Sequence, residues 1–243
     1  MSKTKKIVLI LNEGITDENA LAPALKNIEK KFNIRFKMME GDPLTDFKNE
    51  HKSSKEIVGS FVSQFKKRNY LKDSDILLIA QLTDTDGAFI SEDRVVIDSH
   101  IKNDDRKKYE LNVIKVKDEK KQKEIITRNN IKRKHLNTLS TLNVMMKRPY
   151  QIFYFSRELE HVLHNVVSIP NKEKSKKADE FSEQYTSFES LKNFFNDDNI
   201  ATSGDYKQTW NYIKRNNHSL ERNTNFHLLL ARIESEIKKL NTN

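Results

Sequence analysis

Two short, near-continuous apolar runs constrain this chain most: Ile7–Leu11 and Ile76–Ala80, each closed by acid and glycine. Glu13-Gly14 stands behind the first run and Asp84-x-Asp86-Gly87 behind the second. Apolar runs without polar alternation suit strands buried on both faces, as in parallel sheets covered by helices. Between them, Thr16 to Lys31 carries Leu21, Ala24, Leu25 and Ile28 at helical spacing, with Thr16 placed to cap and Asp17 and Glu18 in the first turn. Pro23 marks either a kink or a later start. Residues Asn33 to Met39 read as a second strand and 40–43 as a turn. Ser53 to Lys67, with Ile57, Phe61, Val62 and Phe65 on one face, reads as a second helix, and Asp75 to Leu82 as the third strand. Strand, helix, strand, helix, strand at these lengths implies right-handed crossovers and a mostly parallel sheet. Ligands of such sheets sit at the carboxyl ends of the strands, so Glu13, Asp84 and Asp86 are expected on one rim.

Further along, the pattern weakens. Residues 94–98, 109–116 and 148–156 read as strands, 118–139 as a polar helix and 157–165 as a helix. Lys120, Lys121, Lys123, Arg128, Lys132, Arg133 and Lys134 crowd the polar helix, which reads equally as a solvated face and as a phosphate-tracking surface. Residues 171–177, with Lys172 and Lys174, read as a basic loop. Helices follow at 188–196, 205–215 and 220–240, the last with Phe226, Leu229, Leu230, Ile233 and Ile237 on one stripe. The resulting division is a core, 1–107, a basic insertion, 108–144, the last core strand and helix, 145–170, and a helical C-terminal region, 171–243.

The 243 residues suffice for a sizeable core. With no cysteine, neither a disulfide nor a thiolate zinc site is available. No stretch approaches the roughly 20 apolar residues of a membrane helix, and the first apolar run is too soon charged for a signal peptide, so a cytoplasmic protein with no membrane partner is expected. Lys and Arg number 44 against 35 Asp and Glu, an excess of 9. That excess favours a polyanionic partner through counterion release, although a Lys-, Asn- and Ile-rich chain also reflects genome composition.

Carboxylates converging on one rim repel one another unless cations bind there. With only oxygen donors to offer, Glu13, Asp84 and Asp86 suit Mg²⁺ or Mn²⁺. On an extended segment Asp84 and Asp86 point the same way and reach one ion together. Asp17 reads either as an outer ligand or as a first-turn acid favoured by the helix dipole. Two ions about 4 Å apart would steady both oxygens of a phosphoryl transfer.

Strand-GluGly-x-ThrAsp followed by strand-x-x-AspxAspGly resembles the Toprim domain of topoisomerases, bacterial primases and the overcoming-lysogenization-defect nucleases. The resemblance covers roughly residues 5 to 90. It implies Glu13 as general acid or base and Asp84 and Asp86 as Mg²⁺ ligands. Pro149, the aromatic residues 153–155, Glu158 and His164 stand in an order similar to that of RloB-like abortive-infection nucleases, although Arg157, Glu160 and His161 replace apolar surroundings. This implies Glu158 as a further metal ligand or orienting carboxylate and His164 as a catalytic or phosphate-contacting group. Arg157 would clamp a phosphate or pair with Glu160. The fold implied is a Toprim-like α/β sheet. The activity implied is Mg²⁺-dependent cleavage of nucleic acid, RNA of the tRNA type before DNA, by an antiviral effector. A partner ATPase would be a separate subunit, since the chain has no GxxxxGK[ST], and a homodimer is compatible. Two other classes stay open: a haloacid-dehalogenase-type phosphatase with Asp84 as nucleophile, and a non-catalytic basic nucleic-acid-binding module.

Overall fold

The computed structural model describes residues 6–26, 28, 32–39, 41–101, 107–167 and 169–241. The fold is α/β, a mostly parallel sheet flanked by helices. Its strands are β1 (Lys6–Asn12), β2 (Phe32–Met38), β3 (Ile76–Asp84), β7 (Val144–Met145) and β8 (Arg148–Phe155), in the order β2-β1-β3-β8-β7. Four of them run parallel, and β7 closes one edge as the antiparallel half of a hairpin with β8. The chain passes from β1 through α1 (Ile15–Lys26) to β2, then through α2 (Ser54–Arg68) across β1 to β3. That reversal of direction makes the carboxyl ends of β1 and β3 the switch point of the sheet. Register aligns the ends: Asn12 faces Met38, Leu11 faces Gln81 and Asp84 faces Phe155.

The pleat explains why the strands are apolar on both faces. Val8, Ile10, Leu78, Ala80, Leu82, Phe153 and Phe155 point into one core, which α1 shares with the C-terminal helices. Ile7, Leu9, Leu11, Ile79, Tyr150, Ile152 and Tyr154 point into the other. There they meet Ile57, Val58 and Val62 of α2 and Leu136 and Leu139 of α3 (Glu119–Leu139). Alternation with a period of two places each residue on its face. A small sheet of β4 (Val95–Ile97), β5 (Lys108–Tyr109) and β6 (Ile114–Val116), in the order β4-β6-β5, forms a third core with Ile90, Ile125 and Leu220.

Beyond β8 come α4 (Leu159–His164), α5 (Asn171–Gln184), α6 (Phe188–Phe195), α7 (Tyr206–Ile213) and α8 (Phe226–Asn241). Three expectations need correction. The basic segment 171–177 is the start of α5, since Ala178 and Phe181 carry an apolar face into the core. Residues 109–116 are two strands, because the chain reverses between Tyr109 and Ile114 and pairs them with each other. The last helix begins at Phe226 because Thr224 is engaged in bridges to Phe155 and Ala201. Residues 29–31 at the end expected for the first helix, the residue at position 40 and the side chain of Ile237 lie outside the described residues. Among the described residues, no helix is long and apolar enough to cross a membrane.

Gly87 fixes the turn after β3. Its φ is +72°, and an added Cβ would lie 2.8 Å from Leu220 Cδ2 and 2.9 Å from Ile114 Cδ1. Gly87→Ala is expected to destabilise the fold by about 2–4 kcal/mol, combining overpacking with left-handed strain, as a lower urea midpoint at unchanged slope.

Candidate functional site

Glu13 leaves the end of β1, and its Oε1 accepts a hydrogen bond from Thr83 Oγ1 at 2.8 Å. Thr83 and Asp84 are consecutive on β3, so the pleat sends them to opposite faces. Asp86 lies beyond the strand with φ +52°, a left-handed conformation that turns its side chain back toward Glu13. Its amide donates to Arg157 O at 2.8 Å, which anchors the turn. The loop after β2 supplies Asp42, tied to β1 by a bond from Gly41 N to Glu13 O at 2.9 Å. Glu13, Asp42 and Asp86 thus each bring one carboxylate oxygen into a group whose members lie within 4.8 Å of one another. An all-oxygen group at this spacing can hold a divalent cation.

Inside the group lies the ammonium of Lys132, whose side chain is fully buried. Its Nζ is 2.7 Å from Asp86 Oδ2, 2.9 Å from Asp42 Oδ2 and 3.5 Å from Glu13 Oε1. One turn earlier on α3, Arg128 NH2 donates to Asp42 Oδ2 at 2.9 Å and Asp86 Oδ2 at 2.8 Å. The other oxygen of Asp86 accepts from Lys107 Nζ and Tyr109 OH, both at 2.9 Å. Although burial opposes it, the ammonium groups of Lys107 and Lys132 and the Arg128 guanidinium hold Asp86 well below the usual carboxylate range. Glu13 has the opposite fate. Burial raises it to about 8, since Asp42 and Asp86 offset the attraction of Lys132.

A second acidic group faces α1, α4 and α5. Asp84 Oδ1 accepts the amide of Leu159 at 2.9 Å, and burial followed by the charges of Glu13 and Asp17 pushes Asp84 well above its ordinary range. Asp17 Oδ2 accepts the amides of Glu13 and Gly14 at 3.2 and 3.1 Å, and burial raises it to about 6. Lys174 Nζ bridges Glu158 at 2.8 Å and Glu160 at 3.2 Å. Seven rim carboxylates, Glu13, Asp17, Asp42, Asp84, Asp86, Glu158 and Glu160, therefore meet four ion-paired cations, Lys107, Arg128, Lys132 and Lys174, among the described residues. The all-oxygen donor set of Glu13, Asp42 and Asp86 fits a divalent cation, which would enter only as the Lys132 ammonium at its centre withdraws.

The expected pairing of Asp84 with Asp86 on one ion is corrected. The left-handed turn separates them, and Asp42 completes the group of three instead. Asp42 follows the end of the second strand, so the carboxyl-end rule pointed to it, but its place in a turn hid that role. Lys107 and Tyr109 carried no signal of their own. Several basic residues expected on a nucleic-acid surface are internal. Lys132 and Arg128 belong to the acidic group, and Arg133 binds the carbonyls of Ala88 and Ile90. Arg157 is fully buried, donates to Glu110 O and lies 5.8 Å from the Tyr109 ring centroid, with its Nε and NH1 without partners and no ion pair to Glu160 among those formed by the described residues. Lys174 pairs with Glu158 and Glu160, and Lys121 with Glu124 at 2.7 Å. Lys120, Lys123, Lys134 and Lys172 are exposed, as a phosphate-tracking role requires. His164 packs edge-on against Phe181, and burial lowers its pKa. Its Nε2 is buried without a partner, so it stands with the α5 core, apart from the group of three. No family model, curated protein or solved structure matches the chain.

Two outcomes follow from these charges. Glu13 and Asp17 hold protons in the native state that the unfolded chain has released above its ordinary values of 4.5 and 3.8. Their contribution is present below those values and is lost as pH rises toward about 8 and about 6. Asp86 acts in the other sense, its contribution being lost as pH falls below 3.8. In EDTA the melting temperature should peak near about pH 4 and decline toward pH 8, and Glu13→Gln should flatten the decline. Lys132→Met should cost about 3–5 kcal/mol in EDTA by stranding buried carboxylates, with part of the loss recovered in Mg²⁺ when followed by thermal melting.

Proposed function

We propose that this chain is a Mg²⁺-dependent phosphodiesterase acting on nucleic acid, with RNA of the tRNA type the favoured substrate. The observation that carries the reading is the grouping of Glu13, Asp42 and Asp86 at the switch point of a parallel sheet, with cationic side chains threaded among them. The resemblance to Toprim nucleases supports it, as does the excess of 9 positive charges. Glu13, Asp42 and Asp86 would hold the divalent cation, which would supply Lewis acidity toward a phosphoryl oxygen and lower the pKa of a water.

The chain's own groups carry the rest. Glu13, oriented by the hydrogen bond from Thr83 Oγ1, either joins Asp42 and Asp86 in holding the cation or moves the proton. Lys132 and Arg128 are the cations placed to meet non-bridging phosphate oxygens at this rim, and Arg128 has a buried NH1 with no partner to give there. Lys107 and Tyr109 keep Asp86 ionised and oriented. Exposed Lys120 and Lys123 on α3 guide the backbone toward the rim. Asp84, bonded to the α4 amide and raised by burial, is poorly suited to the nucleophilic role of a haloacid-dehalogenase-type phosphatase. Any regulatory ATPase is a separate subunit in this reading.

The test is incubation of the purified protein with total RNA and with plasmid DNA in Mg²⁺, Mn²⁺ and EDTA, resolved on denaturing gels. Cleavage of RNA in Mg²⁺ or Mn²⁺ is expected, abolished by EDTA and by Asp86→Asn, and slowed by about 10²–10⁴-fold in Glu13→Gln. Cleavage that persists in EDTA and in Asp86→Asn would end the proposal.

A further inference from the structure

A groove of about 900 Å³ lies between β2, the open edge of the main sheet, and the C-terminal half of α2. Its charged lining is entirely basic, Lys37, Lys67 and Arg68, and no acidic residue lines it. Tyr70 supplies an exposed aromatic ring at its edge. Tyr70 is the unusual member. α2 ends in a Schellman arrangement, with Tyr70 N bonded to Lys67 O at 3.4 Å and Leu71 N to Lys66 O at 2.9 Å. The residue at the left-handed position of that motif is usually glycine or asparagine, yet here Tyr70 holds it at φ +53°. Its ring is 95% exposed, so packing does not repay the strained backbone. An outlier of this type points to a role outside the fold.

We propose that this groove binds an unpaired stretch of nucleic acid, with a base stacked on Tyr70 and backbone phosphates on Lys37, Lys67 and Arg68. Stacking tolerates any base because every base presents a π-face, and a wholly basic channel follows the phosphates. Met38, the last residue of β2, lines the groove, and Asp42 stands four residues further along the chain. The proposal rests on the phosphodiesterase reading only for what is done to the strand, and it names single-stranded segments as the substrate class.

The test is fluorescence anisotropy in EDTA with a labelled oligouridylate of about twelve nucleotides, beside a duplex of the same length and a polyglutamate peptide. The single strand should bind in preference to both, with a log–log salt slope of about −2 for three neutralised phosphates. Lys67→Ala and Arg68→Ala should each reduce that slope by about 0.7. Tyr70→Asn suits the left-handed position, so it should leave the melting temperature equal or higher while weakening binding about tenfold, and Tyr70→Trp should restore affinity. Equal binding by Tyr70→Asn, or binding of the duplex or the acidic peptide as tightly as the single strand, overturns the proposal. Hydrolysis of bis(p-nitrophenyl) phosphate in Mn²⁺ by the unmodified protein separates the two readings. Binding as described without hydrolysis sustains the groove and removes the phosphodiesterase, whereas hydrolysis without single-strand binding does the reverse.

Discussion

A buried ammonium group organises this molecule. Lys132 has left water entirely and recovers its solvation from three carboxylates that come from three different loops. Such a group is costly unless every partner is in place, which ties the end of β1, the loop after β2 and the turn after β3 to one point on α3. The helix is anchored in turn by Leu136 and Leu139 in the core beneath the sheet and by the 2.8 Å contact between His135 and Ser54 of α2. Arg133, on the same helix, holds the carbonyls just beyond Asp86. Charge balance and the packing of α3 are therefore a single structural problem.

The pleat of β3 divides the acids of the rim between the two faces of the sheet. Thr83 and the turned-back Asp86 look toward α3, and Asp84 looks toward α4 and α5. The α3 side holds most of the positive charge, so Asp86 is firmly ionised, and the other side is served by Lys174. Glu13 stands where compensation falls short, which is why burial prevails and its proton affinity rises into the neutral range. A site with one permanently charged acid and one that titrates near neutrality has the asymmetry that proton-transfer chemistry requires.

The apolar runs at Ile7–Leu11 and Ile76–Ala80 were legible as strands buried on both faces, and the alternation around them gave the crossover order and the shared rim of Glu13 and Asp86. Asp42 escaped notice because a turn residue in sequence gives no sign of the β1 end to which Gly41 ties it. Asp84 was misplaced because strand periodicity stops at the last paired residue, and the left-handed backbone of Asp86 lies just past it. The basic helix was the hardest to read. Its hydrophobic face is thin, and the residues that complete its buried side are Asn129, Lys132 and His135, whose burial only tertiary partners can explain. Propensity and charge counting both assign such residues to solvent.

The carriage of Arg128, Lys132 and Arg133 on neighbouring turns of one helix constrains how the sequence can drift. Exchange of Asp86 for a neutral residue would leave Lys107, Arg128 and Lys132 crowded together, and exchange of Lys132 would leave three acids facing one another. Either exchange alone leaves like charges facing one another, so the acids and bases of this knot are energetically coupled and a change in one alters the cost of a change in the next.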